Sequence, residues 1–570
     1  VLTLIARLRA PLAVAALAVA IVALDLWWYW SHRRGFPLFL DESGYTSFAL
    51  DHSYALRDDG LGGLLRSVEN HSVHAPLVPF LTVPFEILLG ERVGNGFIVV
   101  AAFHALLAAT TYGVARRITR PWLAALAALL VAFAPEVITF SRLYYFAVPS
   151  AALFTLSVFC FLRSDALDRP AWAVAGGAAL GLVVLTRTLM IALVAGPLVG
   201  VLVQAIARPG QRSRRMLTFV ASVLTGLAIA ASWYGRNFAT AVDFLRGEQF
   251  REPSSGEFRS PRFREIRQVV ETVQLPLALL LLGVVLMAVG VVLAHTAKRR
   301  HWELRRALSD DRTLLAIVAL QAIAVFSLTG AALGRWISVL PLLVALAVAA
   351  LGALPRPRLR VALALFLVAA ALFEIVMLSA VSPALGRPRS LDVGPVGSLT
   401  VTDGRQFLQR FLEPIGCTGE PGRLPDSFRR YLPQHMELTK WLLAYTARHD
   451  ERPVVFTVGR ESRLLNINDL LLADRLMEDN RVLLTGRVFL DTDAPLRAYR
   501  RLLNDPKFGL PNLLITYSDA PVATRDTQLT RTDGNVKALG FRLIRAIRLP
   551  DSSARIWWRS QAGVSASPTA

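Results

Sequence analysis

Stretches of roughly twenty apolar residues recur along this chain, separated by short arginine-rich loops, a pattern that a bilayer rewards and a soluble core does not. After the opening LIARLRAPLAVAALAVAIVALDLWWYW, further runs occupy about 95–115, 122–139, 146–162, 171–187, 189–206, 216–233, 273–294, 313–333, 337–354 and 360–381. At ~1.5 Å per residue, a helix of that length covers the ~30 Å hydrocarbon layer. The pattern predicts a polytopic α-helical membrane protein with about eleven transmembrane helices. Composition agrees, since 54% of the 570 residues are hydrophobic, too many for an ordinary soluble domain.

The first run has a basic front and no small-residue cleavage site after it, so it reads as a retained helix with its N-terminus in the cytoplasm. The run over 76–90 is short, carries Pro76, Pro79 and Pro84 with Glu86 inside, and is expected to lie on or dip into the interface. If it does not cross, the basic loops ARRITRP, RSDALDRP, ARPGQRSRR, HTAKRRHWELRRALSDDR and PRPRLR all fall on the cytoplasmic side. Only SHRRG, after the first helix, goes against the rule. The net charge of +20 is then largely an orientation signal, and nucleic acid is not needed to explain it.

Three segments face the outside in this topology: a first loop at 31–94, a second at 235–272, and a tail at 383–570 beyond a membrane domain of residues 1–382. In the tail, strand-like RPVVFTVG and PNLLITYS alternate with helical MELTKWLLAYTARH and PLRAYRRLLND. The closing FRLIRAIRLPDSSARIWWRS reads as two strands joined by a Pro-Asp-Ser turn. A soluble α/β domain is expected there. It carries no glycine-rich phosphate fingerprint and no serine nucleophile elbow. The two cysteines, Cys160 and Cys417, leave no disulfide framework or thiolate cluster.

Asp41 and Glu42 stand side by side in the first loop, within LDESGY. Carboxylates beside a bilayer are costly and usually have a partner or a chemical role. Here that role could be proton abstraction from an acceptor, divalent-cation binding (Mg or Mn), or simply the capping of a helix. Glu69, Asn70, His71 and His74 cluster further on and suit a metal or a phosphate, or an ordinary hydrogen-bonded polar loop. Arg142, Arg187, Arg236 and Arg335 lie at or near the outer ends of apolar runs. Arginine is costly in a membrane and binds phosphate with two parallel hydrogen bonds, which suits a lipid-phosphate substrate; the alternative is snorkelling to the headgroups. Tyr144, Tyr145, Trp233 and Trp336 offer rings for a sugar or for an interfacial aromatic belt.

The order LDESGY, NHSVHAPL, ILLGERVGNGF, APEVITFSRLYYFAVPSAALFTL, SWYGRNF and GRWISVLPLL resembles the GT-C glycosyltransferases over residues 1–382. More closely, it resembles the protein O-mannosyltransferase and aminoarabinose transferase branch, of dolichyl-phosphate-mannose protein mannosyltransferase type. The resemblance implies an inverting transfer from a polyprenyl-phosphate-linked sugar at the outer membrane face, to a glycan, lipid or protein acceptor, without a nucleotide sugar. It places Asp41 as the catalytic base, with Glu42 completing the acidic pair. His74-Ala75-Pro76-Leu77 stands where His-Pro-Pro-Leu is common, and Arg335-Trp336 where an Arg-Tyr grips the donor phosphate. One departure stands out: LYYFAVPSA lacks the second acidic residue expected after Ser141-Arg142, leaving Glu136 or Glu69 as stand-ins. The bias to Ala, Leu, Arg and Val suggests a bacterial cytoplasmic membrane and a polyprenyl carrier. A lipid-directed transferase, a transporter and an inactive scaffold of envelope glycan assembly are the rival readings. A transporter would be expected to show a sequence repeat, and none is visible.

Overall fold

The computed structural model describes residues 2–34, 38, 40–70, 75–249, 307–329, 334–379, 389–392, 398–402, 436–438, 440, 441, 444, 454–458, 472, 475, 476, 483–488, 496, 513–518, 533–548 and 553–559. The chain forms two compact units, Val1–His32 with His52–Arg405, and Arg33–Asp51 with Gln406–Ala570. This division differs from a cut at 382–383 in two ways. A strand pair just past the last apolar run groups with the helical unit, and the segment bearing Asp41 groups with the C-terminal unit.

The helical unit follows the apolar runs closely. Helix α1 (Leu2–Trp28) ends in a π-helical turn at Tyr29–Arg33. Helix α2 (Leu40–Asn70) is bent at Gly60, whose φ of 64° only glycine adopts readily. Then come α3 (Leu77–Leu89), α4 (Asn95–Ile118), α5 (Pro121–Ala132), α6 (Pro135–Ser141), α7 (Ala147–Arg163) and α8 (Pro170–Thr186). A 3-10 turn at Thr188–Leu193 leads into α9 (Ala195–Ala207), followed by α10 (Arg212–Gln249) and α11 (Asp311–Thr329). A second 3-10 turn, Arg335–Ser338, precedes α12 (Leu340–Gly352) and α13 (Pro357–Ser379). Prolines open α5, α6, α8 and α13, where the missing N–H costs nothing.

Among the described residues, five helical segments are long and apolar enough to cross a membrane singly. The pair α5 and α6, bent by 60°, adds a sixth if taken together. The runs at 171–187 and 189–206 are divided at Arg187, where α8 gives way to a 3-10 turn that leads into α9. The run at 273–294 lies outside the described residues. Helix α10 continues to Gln249, so the first part of the expected loop at 235–272 is helix; a single glycine, Gly235, with no proline does not stop it. At 13 residues, α3 spans about 20 Å, less than the ~30 Å hydrocarbon layer, as does α12. Small residues set the closest approaches: Gly177 of α8 lies against the backbone of Ser222 in α10, and Gly96 of α4 lies against the Tyr144 ring.

Strands β1 (Arg389–Asp392) and β2 (Ser398–Thr402) form an antiparallel ribbon in the helical unit. The C-terminal unit contains β3 (Val454–Val458), β4 (Leu483–Val488), β5 (Leu513–Ser518), β6 (Arg542–Arg548) and β7 (Ser553–Trp558), in the order β4-β3-β5-β7-β6. The first three are parallel; β7 is antiparallel to both β5 and β6. The closing hairpin is as expected, with β6 at the sheet edge. Leu513, Leu514, Ile515, Ile556 and Trp557 are buried along β5 and β7, and Trp557 Nε1 donates to Thr516 Oγ1 at 3.0 Å.

Candidate active site

The acidic pair is not symmetric. Glu42 is fully buried and forms an ion pair of 2.6 Å with Arg33, itself 1% exposed. The π-helical turn at the end of α1 includes Arg33, so the one basic loop that offended the charge rule supplies the counter-ion of a buried acid. Asp41, in the first turn of α2, is half-buried, and among the described residues it makes no hydrogen bond or ion pair. After it, Glu42, Ser43, Tyr45, Thr46, Ser47, Ala49 and Leu50 are all buried. Such a polar stretch survives burial because its hydroxyls turn inward: Thr46 donates to the Glu42 carbonyl and Ser47 to the Ser43 carbonyl, each at 2.8 Å.

At the other end of α2, α10 holds the chain with residues one turn apart. Trp233 Nε1 donates to the Val68 carbonyl at 3.2 Å, Asn237 Nδ2 donates to the Glu69 carbonyl at 3.0 Å, and Arg236 pairs with the Glu69 carboxylate. Two candidates, Glu69 and Arg236, are thus brought together. His71 and His74 lie outside the described residues, as does the side chain of Arg335. Glu136 accepts from the Gly334 N–H at 3.1 Å, next to Arg335, so it meets the second 3-10 turn.

The four arginines divide by what they touch. Arg142, 2% exposed, stacks over Trp28 at 4.6 Å, donates to the Leu378 carbonyl at 2.8 Å and also meets Ser379 Oγ, fixing the end of α13. Arg187 has extended backbone between α8 and the 3-10 turn, and its guanidinium sits 3.9 Å over the Phe146 ring. Its Nη1 is buried with no hydrogen-bond partner among the described residues. Non-helical backbone at such a depth is tolerated where protein buries it or where it lines a cavity. Tyr144 is fully buried, hydrogen-bonded to Thr82 Oγ1 at 2.7 Å, and has no exposed face for a sugar. Tyr145 is half-buried and leans on Phe146, and Trp336 is buried against Phe326.

Two buried groups escaped the reading of the sequence as site candidates. Glu86, 2% exposed, accepts from Asn95 Nδ2 at 2.7 Å and the Arg92 N–H at 2.9 Å through one oxygen, while its other oxygen is buried without a partner among the described residues. Burial pushes its carboxyl up to about 7, and the two donors oppose that rise. Its signal was a glutamate inside an apolar run. Asp25 of α1 meets His104 Nδ1 of α4 at 2.7 Å and Ser141 Oγ of α6 at 3.1 Å, while His104 Nε2 faces the Ala132 carbonyl at 3.0 Å. Among the described residues, no three His, Cys, Asp or Glu side chains converge as a metal site requires.

Residues 73–234 match the family model described as dolichyl-phosphate-mannose-protein mannosyltransferase. No curated protein matches the sequence. Among solved structures, apo ArnT from Cupriavidus metallidurans aligns at a TM-score of 0.51 and 17% identity, over 95% of this chain and 97% of its own. The same protein bound to undecaprenyl phosphate aligns at 0.51 and 15%, over the same shares of 95% and 97%. The Archaeoglobus fulgidus oligosaccharyltransferase tethered to an acceptor peptide aligns at 0.51 and 12%, over 98% of this chain and 75% of its own. The mycobacterial arabinofuranosyltransferase AftD aligns at 0.51 and 14%, over 95% of this chain and 40% of its own. The fold is that of the GT-C glycosyltransferases, in a multi-pass membrane protein.

Proposed function

We propose that this chain, built on the GT-C glycosyltransferase fold, transfers a sugar from a polyprenyl-phosphate donor to an acceptor hydroxyl or amine, with inversion, at the outer face of a bacterial cytoplasmic membrane. The observation that carries the assignment is the asymmetry of the acidic pair. A base needs a carboxylate with a lone pair to spare, and Asp41 has one while the charge of Glu42 is taken by Arg33. Asp41 removes the acceptor's proton as its oxygen or nitrogen attacks the anomeric carbon, and the bond from that carbon to the donor phosphate breaks. The charge that grows on the phosphate is met by arginine, with Arg187 best equipped because its guanidinium makes no hydrogen bond or ion pair among the described residues, whereas Arg142 already donates to Leu378 and Ser379. Arg335 and Arg236 are the further phosphate ligands, the latter by exchanging Glu69 for the donor. Glu42 and Arg142 act as positioning residues. The likeness to an ArnT bound to undecaprenyl phosphate supports the choice of carrier. The acceptor is a cell-envelope glycan, lipid or protein.

The test is transfer from radiolabelled polyprenyl-phosphate mannose, arabinose, glucose and galactose in membranes holding wild type or Asp41→Asn. Label should reach a glycan, lipid or protein fraction with wild type and fall by at least about 10²-fold with the variant, which should accumulate normally. Full activity of Asp41→Asn removes Asp41 as the base. No Asp41-dependent transfer from any donor moves the chain to the scaffold or transporter reading.

A further inference from the structure

The segment that bears Asp41 belongs to the C-terminal unit, and a charged contact ties it to the rest of that unit. Asp51 lies ten positions after Asp41 in α2, and its carboxylate pairs with Arg475. Both side chains are largely buried, at 19% and 17% exposure. Burial raises the Asp51 carboxyl above its ordinary range, and Arg475 opposes that rise. Between the two aspartates, α2 is buried at nearly every position and its hydroxyls bond to its own backbone, which makes this stretch a stiff rod of about 15 Å. At its start, the Arg33–Glu42 ion pair holds it; at its end, Arg475 does.

We infer that Arg475 is a positioning residue for transfer: through its ion pair with Asp51, the C-terminal unit sets the placement of Asp41. The inference rests on Asp41 being the base. It gives the C-terminal unit a part in the chemistry. A base displaced by about 1 Å loses up to about 10²-fold in rate while donor binding is untouched, so the effect belongs in kcat.

The experiment compares full-length wild type, Arg475→Ala, Arg475→Lys, the reversed pair Asp51→Arg with Arg475→Asp, and Asp41→Asn, in nanodiscs, with the same panel of radiolabelled polyprenyl-phosphate sugars. Hydrogen exchange of the amides at 41–51 is read in parallel. Arg475→Ala should lower kcat by about 10- to 100-fold with donor KM within about twofold, and should speed exchange at 41–51. Arg475→Lys and the reversed pair should recover most of both. Added to Asp41→Asn, Arg475→Ala should cost nothing more, because there is no base left to misplace. Unchanged kcat in Arg475→Ala, or a loss confined to KM, overturns the inference while a dead Asp41→Asn leaves the base in place. Full activity of Asp41→Asn overturns both. Where Arg475→Ala fails to accumulate, the reversed pair decides: recovered kcat supports the latch, and lost kcat in a folded protein overturns it.

Discussion

The two ends of the helical unit treat charge in opposite ways. At the end bearing the basic loops, arginine meets aspartate: Arg208 with Asp165 at 2.7 Å, Arg215 with Asp168 at 2.8 Å, and Arg117 with Asp311 at 2.9 Å. These pairs join the α7–α8 loop to α9 and α10, and α4 to α11, across a turn in which Asp165, Ala166 and Leu167 all hold left-handed backbone. Such a turn costs of order 1 kcal/mol per residue and persists because its surroundings over-determine it. At the opposite end, an acid and a cation are each incompletely met: one oxygen of Glu86 and Nη1 of Arg187 are buried without partners among the described residues. Matched charges have no binding capacity left over. Unmatched ones do, and the variants below ask whether Arg187 and Glu86 use theirs.

The strongest break in that comparison is Arg187→Gln. It should lower transfer by about 10²- to 10³-fold, the range for losing one preorganised donor to developing charge, with the melting temperature unmoved. A matching drop in melting temperature would show that Arg187 is structural like Arg142, and the contrast between the ends would lose its cation. Next comes Glu86. A carboxyl whose folded value is raised binds its proton more tightly folded than unfolded. Its contribution to stability is therefore full below about 4.3 and is lost as pH climbs toward about 7. Glu86→Gln should remove that loss, on the order of 3 kcal/mol at pH 8, as read from denaturation midpoints across pH 4–8. Equal pH profiles for the two proteins would mean that the Glu86 carboxyl is not raised.

The smallest effect belongs to the matched end. Arg208 holds the Asp165 carboxyl below its usual range, chiefly through its hydrogen bond. Stability from this pair is present above about 3.9 and is lost as pH falls through the lower folded value. Both side chains are more than one-third exposed, at 37%, so solvent screening keeps the loss below about 1 kcal/mol. Asp165→Asn should be slightly less stable than wild type at pH 6, and the gap should close in strong acid. A gap that persists in acid would assign the effect to the left-handed turn and not to the charge.

Much of the fold was legible because a bilayer fixes helix length, and because Pro121, Pro135, Pro170 and Pro357 mark helix starts by their chemistry. The break at Arg187 was half legible: an arginine amid apolar residues signalled something unusual, yet not that the backbone would be extended there. Strands β3, β5, β6 and β7 announced themselves by alternation and by the Pro-Asp-Ser turn, whereas β4 and the ribbon β1–β2 did not, their sequences being polar or interrupted by glycine. In the site, LDESGY pointed to Asp41 and Glu42 together. Nothing local could say which would be neutralised, because the answer depends on how the π-helical turn presents Arg33. Likewise, Tyr144 read as an interfacial ring and proved to be core, since its burial depends on Thr82 and on the bare Gly96. The pairing of Asp25 with His104 crosses 79 positions and leaves no periodic trace.

That last contact bears on how the protein comes to be made. Helix α1 enters the bilayer carrying Asp25 before its partners are synthesised, and an aspartate costs up to about 3 kcal/mol in a lone inserting helix. The deficit is offset only when α4 brings His104 and α6 brings Ser141. Until then α1 holds its aspartate without the partners it has in the fold, so how firmly this helix settles depends on helices that follow it in the chain.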